Sequence, residues 1–504
     1  MSILDHLHDP DRADCPIVVG GEQNHSANSL LAAAQSLSTE LAGLGASRVA
    51  TLIDNGPTWL IADLAIQQLA LVQVPLPPFF HPTQVRHALA AAAVDLLICD
   101  RPHPQLGSAQ QQTECGLYLY QLPVSAQVVL PEGTSLITFT SGTTGQPKGV
   151  CLGQRTLEQV AESLRPLATS LGATRHLCLL PLGVLLEQIA GMHSAILAGA
   201  ELCLPSLSET GLQGASGVDG SALLACIQRY QPHSVILLPQ MLEALCSAIE
   251  NGAEPPTSLR LIAVGGARVA AQNMTRARAL GLPVLQGYGL SEAGSVVCLE
   301  DPEMVAAGGV GKPLPGREVR IDDQGEVWLR HPGFLGYLGE PPSSDSDWPT
   351  GDLGHWDEHG NLHLHGRRSN LLITAFGRNV CPDWVESELQ AHPLIAQAFV
   401  CGDAEAWLQT VLVAASERTS TAQLEQAVAE VNQRLPDYAR IGGLVRSALR
   451  FDQIEGLCTA NGRLRRAELM THFETELNDL WDNERASLCR GHSPETHPSI
   501  ARSQ

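Results

Sequence analysis

From Ser29 to Leu44, apolar residues return every three or four positions, and Leu30, Leu31, Ala34, Leu37, Leu41 and Leu44 fall on one helical face. Ser26 or Asn28 can cap this helix and Gly45 can end it. The run VATLI follows as a strand, then a helix over Trp59 to Leu71, a helical segment around Val85 to Ala93, and a short buried strand over Leu96 to Cys99. The pattern recurs at Ser234 to Leu238, Leu261 to Val264 and Val284 to Gln286, again with helical segments between. Such alternation predicts a mostly parallel sheet covered by helices. After Gly308 the chain turns to Gly and Pro corners with short alternating runs. EVRI and EVWL flank Gln324 and Gly325 and predict antiparallel hairpins. A polar connection around Arg367 to Asn370 leads into a compact region of strands and helices reaching about residue 480. The tail from Gly491, with two prolines and few apolar residues, is expected to be disordered.

The pattern therefore predicts an α/β protein. A large N-terminal domain over residues 1–368 would hold the helix-covered sheets and a β-rich subdomain; a small α+β domain would follow over 369–480, then a tail over 481–504. A length of 504 residues excludes a single small binding module. With 31 Lys plus Arg against 53 Asp plus Glu the net charge is −22, which argues against nucleic acid and against anionic membranes. Lysine occurs only at Lys148 and Lys312, so almost every cation is an arginine. The 13 cysteines contain no CxxC pair and read as reduced core residues. The most apolar stretch, Leu177 to Leu204, is broken by Glu187, Gln188, His193 and Glu201, so no integral membrane segment is expected. No signal peptide is evident at the start, and a cytoplasmic location is expected.

The richest segment is SLITFTSGTTGQPKGV, Ser135 to Val150, an apolar strand running into a loop of hydroxyls and glycines that ends at Lys148. Small residues let backbone N–H groups approach an anion, and the hydroxyls and ammonium add donors. Pro147 and Gly149 stand where a Walker A loop needs glycine and a Mg2+-binding hydroxyl, so this is not a Walker A loop.

On this loop the chain resembles the acyl-adenylate-forming superfamily (AMP-binding enzymes), most closely its fatty acyl-CoA synthetases, and the resemblance runs in order from about residue 20 to 470. It implies that Thr140, Ser141, Gly142, Thr143, Thr144, Gly145 and Lys148 hold the phosphates of ATP. QGYGLSEAG, Gln286 to Gly294, is similar to the family's adenine motif: Tyr288 and Gly289 would lie on adenine, Ser291 would touch phosphate, and Glu292 would hold Mg2+. Gly265, Gly266 and Ala267 resemble the adenine-side loop. Thr350, Gly351 and Asp352 match the ribose motif, and Arg367 matches an arginine near ribose and phosphate. Lys312, in VGKPLPG, reads as structural.

FGRNVCPDWVESEL, Phe376 to Leu389, resembles the start of a small mobile domain, with Gly377 beside the pantetheine arm of CoA. Ser369 stands where the family's hinge usually has Asp or Lys. LPLGVLLEQ, Leu180 to Gln188, is similar to a segment of fatty acyl-CoA synthetases, with Val184 and Gln188 replacing His and Arg; Leu185 and Leu186 read as a buried helix start, and Glu187 reads equally well as structural or functional. TANGRLRR, Thr459 to Arg466, resembles the segment carrying the adenylation lysine, here Arg463. The implied activity is ATP- and Mg2+-dependent conversion of a carboxylic acid, medium- or long-chain, to acyl-AMP and then to a thioester with CoA, with Lys148, Glu292 and Arg463 catalytic. Two rivals remain: a fatty acyl-AMP ligase loading the phosphopantetheine of a carrier protein, and a non-catalytic nucleotide- or acyl-binding homologue.

Overall fold

The computed structural model describes residues 2–20, 24–103, 109–124, 128–140, 148–213, 217–303, 308–341, 347–375, 378–405, 407–459, 463–489 and 499–500. The first predicted helix spans Ala27–Gly43, and the Ser26 hydroxyl accepts the Ser29 N–H as its cap. Gly45 follows in the left-handed region at φ +66°, where a Cβ would be strained. The other expected elements appear at Arg48–Leu52, Pro57–Gln68, Pro82–Ala91 and Leu96–Cys99.

Among the described residues two large sheets form. In the nine-stranded sheet, Pro16–Val18, Glu201–Cys203, Arg175–Leu177, Ser234–Leu237, Leu261–Val264 and Val284–Leu290 run parallel, with antiparallel strands at both edges. The eight-stranded sheet has a parallel centre of Thr134–Thr140, Val72–Pro75, Arg48–Leu52 and Leu96–Cys99. Helices Ala27–Gly43, Pro57–Gln68 and Gln154–Ser170 contribute to one apolar core with residues of both sheets, including Leu30, Leu60, Leu157, Val18 and Leu136. That shared core keeps the two sheets at a fixed spacing, and the site depends on it.

The hairpin expected at EVRI and EVWL is present as Glu318–Ile321 and Glu326–Arg330, extended by Asp347–Trp356 and Leu362–Arg367 into a four-stranded antiparallel sheet. The fold class is thus the one expected from the chain's patterning. Beyond Asn370, strands Ile395–Cys401, Leu408–Ala414 and Ile441–Ser447 form a smaller mixed sheet with helices Pro382–Gln390 and Thr421–Asn432 against it. Helix Glu474–Cys489 runs past residue 480, and Ser499–Ile500 pair with Gly443 and Leu444, so backbone structure reaches into the segment expected to be a tail. No helix of the described residues is long and apolar enough to cross a membrane.

One buried ion pair locks the small sheet to its helix. Glu386, 5% exposed, accepts the Val400 N–H at 2.8 Å and pairs with Arg466 Nη1 at 2.7 Å, while the Arg466 guanidinium lies over the Phe399 ring and donates to the Val400 carbonyl. Removing one partner of such a pair strands the other charge away from water. Glu386→Ala should therefore destabilise this region by about 3 to 5 kcal/mol, read as faster amide exchange across 395–401 and a lower urea midpoint. An unchanged midpoint would show that the pair contributes nothing net.

Candidate active site

The strand Val284–Leu290 changes role along its length. Through Gln286 it pairs parallel with Leu261–Val264; from Gly287 it pairs antiparallel with Ser295–Leu299, with a register shift between Tyr288 and Gly289. Gly289 is required there, because a Cβ would collide with the Ser295 carbonyl and the Val296 backbone. The bulge and the turn after it bring Tyr288 and Glu292 to one cavity.

That cavity, about 1570 Å³, lies against the strand ends, the antiparallel sheet and the small domain. Thr140, Lys148, Gly265, Gly266, Ala267, Tyr288, Gly289, Ser291, Glu292, Asp352, Arg367 and Arg463 all line it. Ser141, Gly142, Thr143, Thr144, Gly145 and Gly377 lie outside the described residues.

Asp352 is the centre of the polar end. It is 7% exposed; one carboxylate oxygen accepts the Tyr288 hydroxyl at 2.7 Å, and the other pairs with Arg367 Nε at 2.9 Å. Asp352 and Arg367 are cross-strand neighbours in register, which makes the pair a product of the hairpin. Burial raises the Asp352 pKa, and Arg367 and the Tyr288 hydroxyl only partly offset it. Burial also pushes the Tyr288 phenol up, and the neighbouring carboxylate adds to it. For Arg367, burial opposes the charge, but the attraction of Asp352, Tyr288 and Glu292 leaves its pKa raised.

Arg463 arrives from the small domain. Thr459 Oγ1 accepts its backbone N–H at 3.0 Å, and its guanidinium reaches the Gly266 carbonyl at 3.4 Å. The side chain is open to the cavity, yet enough protein surrounds it that desolvation, followed by the like charge of Arg367, lowers its pKa against the pull of Asp352 and Glu292. Lys148 sits at the start of its strand, 3.3 Å from Glu340 Oε1 and 4.8 Å above the Tyr337 ring. Both ends of this ion pair are about half exposed, so it is weak and easily exchanged for an anion. Tyr337 in turn donates to Glu292 Oε1 at 2.8 Å. Sequence reading missed Tyr337 and Glu340: their partners lie 45 and 192 positions away, and no local spacing marks them.

Away from the charges the cavity continues as an arm lined by Leu164, Leu167, Ala168, Val184, Leu186, Ala190 and Ile236. The Leu180–Gln188 segment thus does two jobs: Leu185 and Leu186 begin a helix, π-helical from Leu186 to His193, and also line the cavity.

Residues 9–338 match the AMP-binding enzyme family, and residues 369–485 match the AMP-binding enzyme C-terminal domain. The chain belongs to the AMP-binding enzyme family. Among its relatives, a long-chain-fatty-acid–CoA ligase, FadD15 of Mycobacterium bovis, is 27% identical over 472 residues, covering 77% of this chain and 76% of that one. A 2-succinylbenzoate–CoA ligase of Bacillus velezensis is 31% identical over 343 residues, covering 63% and 67%. The crystal structure of the anthranilate CoA ligase AuaEII with anthranoyl-AMP shares the fold at a TM-score of 0.78, 19% identity, and coverage of 94% and 98%.

The resemblance assigns Asp352 to the ribose hydroxyls, and with that role it would set an acid limit on nucleotide binding. Asp352 can accept two hydroxyls only when ionised, and burial places its protonation above the ordinary 3.8. As pH falls through that raised value the carboxylate is lost, so AMP affinity should fall at a higher pH than an ordinary aspartate would dictate. Calorimetric titration with AMP from neutral to acid pH should show this loss. Asp352→Asn should bind weakly, without the acid-dependent step, and a wild-type-like profile in that variant would remove Asp352 from the ribose site.

Proposed function

We propose that the chain activates a carboxylic acid with ATP to acyl-AMP and pyrophosphate, then transfers the acyl group to the thiol of CoA. The observation that carries this reading is one continuous cavity with Lys148, Arg367 and Arg463 at its polar end and an apolar arm at the other. An acid seated in the arm directs its carboxylate toward the cations. There a carboxylate oxygen attacks the α-phosphorus, a P–O bond forms, and the bond to pyrophosphate breaks. Lys148, held only by an exposed carboxylate and a ring face, can move to the departing phosphates, while Arg367 and Arg463 stabilise charge near the α-phosphate. In the second half-reaction the CoA thiolate attacks the acyl carbonyl and AMP leaves.

The residues present suit Mg2+. Glu292 is a single carboxylate lining the cavity, its Oε1 held by the Tyr337 hydroxyl, and Mg2+ is commonly bound by one or two carboxylates with phosphate oxygens completing its shell. When bound, the ion would supply further charge stabilisation for the leaving pyrophosphate.

The names of relatives span aliphatic and aryl acids. The arm of Leu164, Leu167, Ala168 and Ile236 favours a medium- or long-chain fatty tail, each buried methylene being worth about 0.8 kcal/mol. Pyrophosphate release across acetate, benzoate, decanoate and palmitate, with and without CoA, tests the reading. Aliphatic acids should be preferred, thioester should appear only with CoA, and Lys148→Ala should cut the rate at least about tenfold. Preference for acetate or benzoate would refute the tail assignment, and formation of thioester only on a carrier protein would replace CoA as acceptor.

Arg463 separates the two half-reactions. It belongs to the small domain and reaches the nucleotide end at Gly266, so its charge should matter for making acyl-AMP and little for converting preformed acyl-AMP to thioester. Arg463→Ala should slow the first strongly and leave the second near wild type, and Arg463→Lys should retain activity. Wild-type adenylation by Arg463→Ala would assign the role to another cation.

A further inference from the structure

The apolar arm ends on a polar floor. Strands Ser234–Leu237 and Leu261–Val264 are parallel and in register, Ser234 opposite Leu261 and Ile236 opposite Ala263. Ser234, Val235, Ile236 and Leu238 all line the cavity. Leu238 marks the nucleotide end, since a Cβ on Gly266 would come within 2.9 Å of its Cδ2. At ~3.3 Å per residue, the walk back to Ser234 is about 13 Å.

There the Ser234 hydroxyl lies 3.0 Å from Nδ1 of His176, its in-register neighbour on Arg175–Leu177. Nε2 of His176 lies 3.0 Å from Glu187 Oε1, and Glu187 Oε2 accepts the Leu180 N–H at 3.0 Å. Ser234 and His176 line the cavity, 7% and 4% exposed, while Glu187 is wholly buried behind them. Gly191 makes the room, because a Cβ there would collide with Glu187 Oε1 and sit 2.9 Å from His176 Nε2. His176, Cys178 and Glu187 offer donor atoms within 4.8 Å of one another, but both histidine nitrogens and both carboxylate oxygens already have partners. The cluster is therefore a hydrogen-bond relay, not a cation site.

The chemistry of the relay restricts what can sit on it. With His176 neutral, the Ser234 O–H donates to Nδ1 and leaves two lone pairs free; with His176 protonated, Nδ1–H donates to Ser234 and leaves one lone pair and the O–H free. A hydroxyl suits both states. A carboxylate would bring a second negative charge toward Glu187, and a methyl would forgo the additional hydrogen bond that the Ser234 oxygen can still make.

We propose that Ser234 selects the tail of the acid. The substrate is an aliphatic carboxylic acid whose tail carries a neutral hydroxyl at the level of Ser234, about 13 Å of strand away from Leu238 at the nucleotide end, bonded by Ser234, with His176 and Glu187 as positioning residues. This rests on the acid-activating function proposed above and names its substrate class.

The test compares kcat/KM for pyrophosphate release with decanoic, ω-hydroxydecanoic and decanedioic acids, alongside calorimetric binding of the same acids without ATP. The hydroxy acid should exceed decanoate by about tenfold, one buried hydrogen bond, with the diacid poorest. In Ser234→Ala the ratio of hydroxy acid to decanoate should fall to about one, whereas a merely structural serine would weaken both acids alike. Equal or better use of decanoate by the wild type, or an unchanged ratio in Ser234→Ala, would overturn the proposal. Activation of all three acids without preference would leave the acid-activating reading standing alone. Preferential binding of the hydroxy acid without pyrophosphate release would do the reverse.

Discussion

The polar end of the cavity is anchored on one side by the Asp352 carboxylate. That carboxylate is fixed on one side by a tyrosine from the bulged strand of the nine-stranded sheet and on the other by an arginine from its own hairpin. Thr350 fixes its approach, accepting the Asp352 N–H at 3.0 Å and donating to the Val327 carbonyl at 2.7 Å. A buried carboxylate with two such partners is costly to rotate, because any other rotamer leaves the charge and the phenol unpaired. The carboxylate therefore ties the antiparallel sheet to the parallel one, and the third body, carrying Arg463, is held against a site whose geometry already exists.

Lys148, Arg367 and Arg463 line the cavity together with Asp352 and Glu292, each of these two carboxylates already engaged by a tyrosine hydroxyl. Arg367 and Arg463 repel one another, and that repulsion contributes to the lowered pKa of Arg463. An anion entering the cavity screens that repulsion and compensates the desolvated guanidinium by direct attraction, which favours phosphates there. The negative surface elsewhere limits competing contacts with polyanions.

Much of this was legible in the chain because the motifs are local. Tyr288, Gly289 and Glu292 lie within one strand and turn, and Asp352 and Arg367 face each other across one hairpin. The helix cap at Ser26 and the strand Leu96–Cys99 were readable for the same reason, each being set by neighbours a few residues away. What was not legible is long-range. Tyr337 reaches Glu292, and Ser234 reaches His176, only because strands far apart in sequence pair in a particular order and register. Glu187 could be read either way from its motif, because its burial comes from a π-helical turn that periodicity does not announce.

The strands themselves separate reaction from recognition. Parallel sheets of this kind present backbone and loops for chemistry beyond the carboxyl ends of their strands. Gly265, Gly266 and Tyr288 occupy that edge, while Ser234 and His176 occupy the opposite, starting ends of neighbouring strands in the same sheet. Between them run Ile236 and Ala263, paired in register and both lining the cavity. On the substrate class proposed above, a change of residue at the starting ends would alter which tail fits and leave the phosphate-facing edge in place. On that proposal one phosphate-facing edge would serve different acids through substitutions one strand-length away.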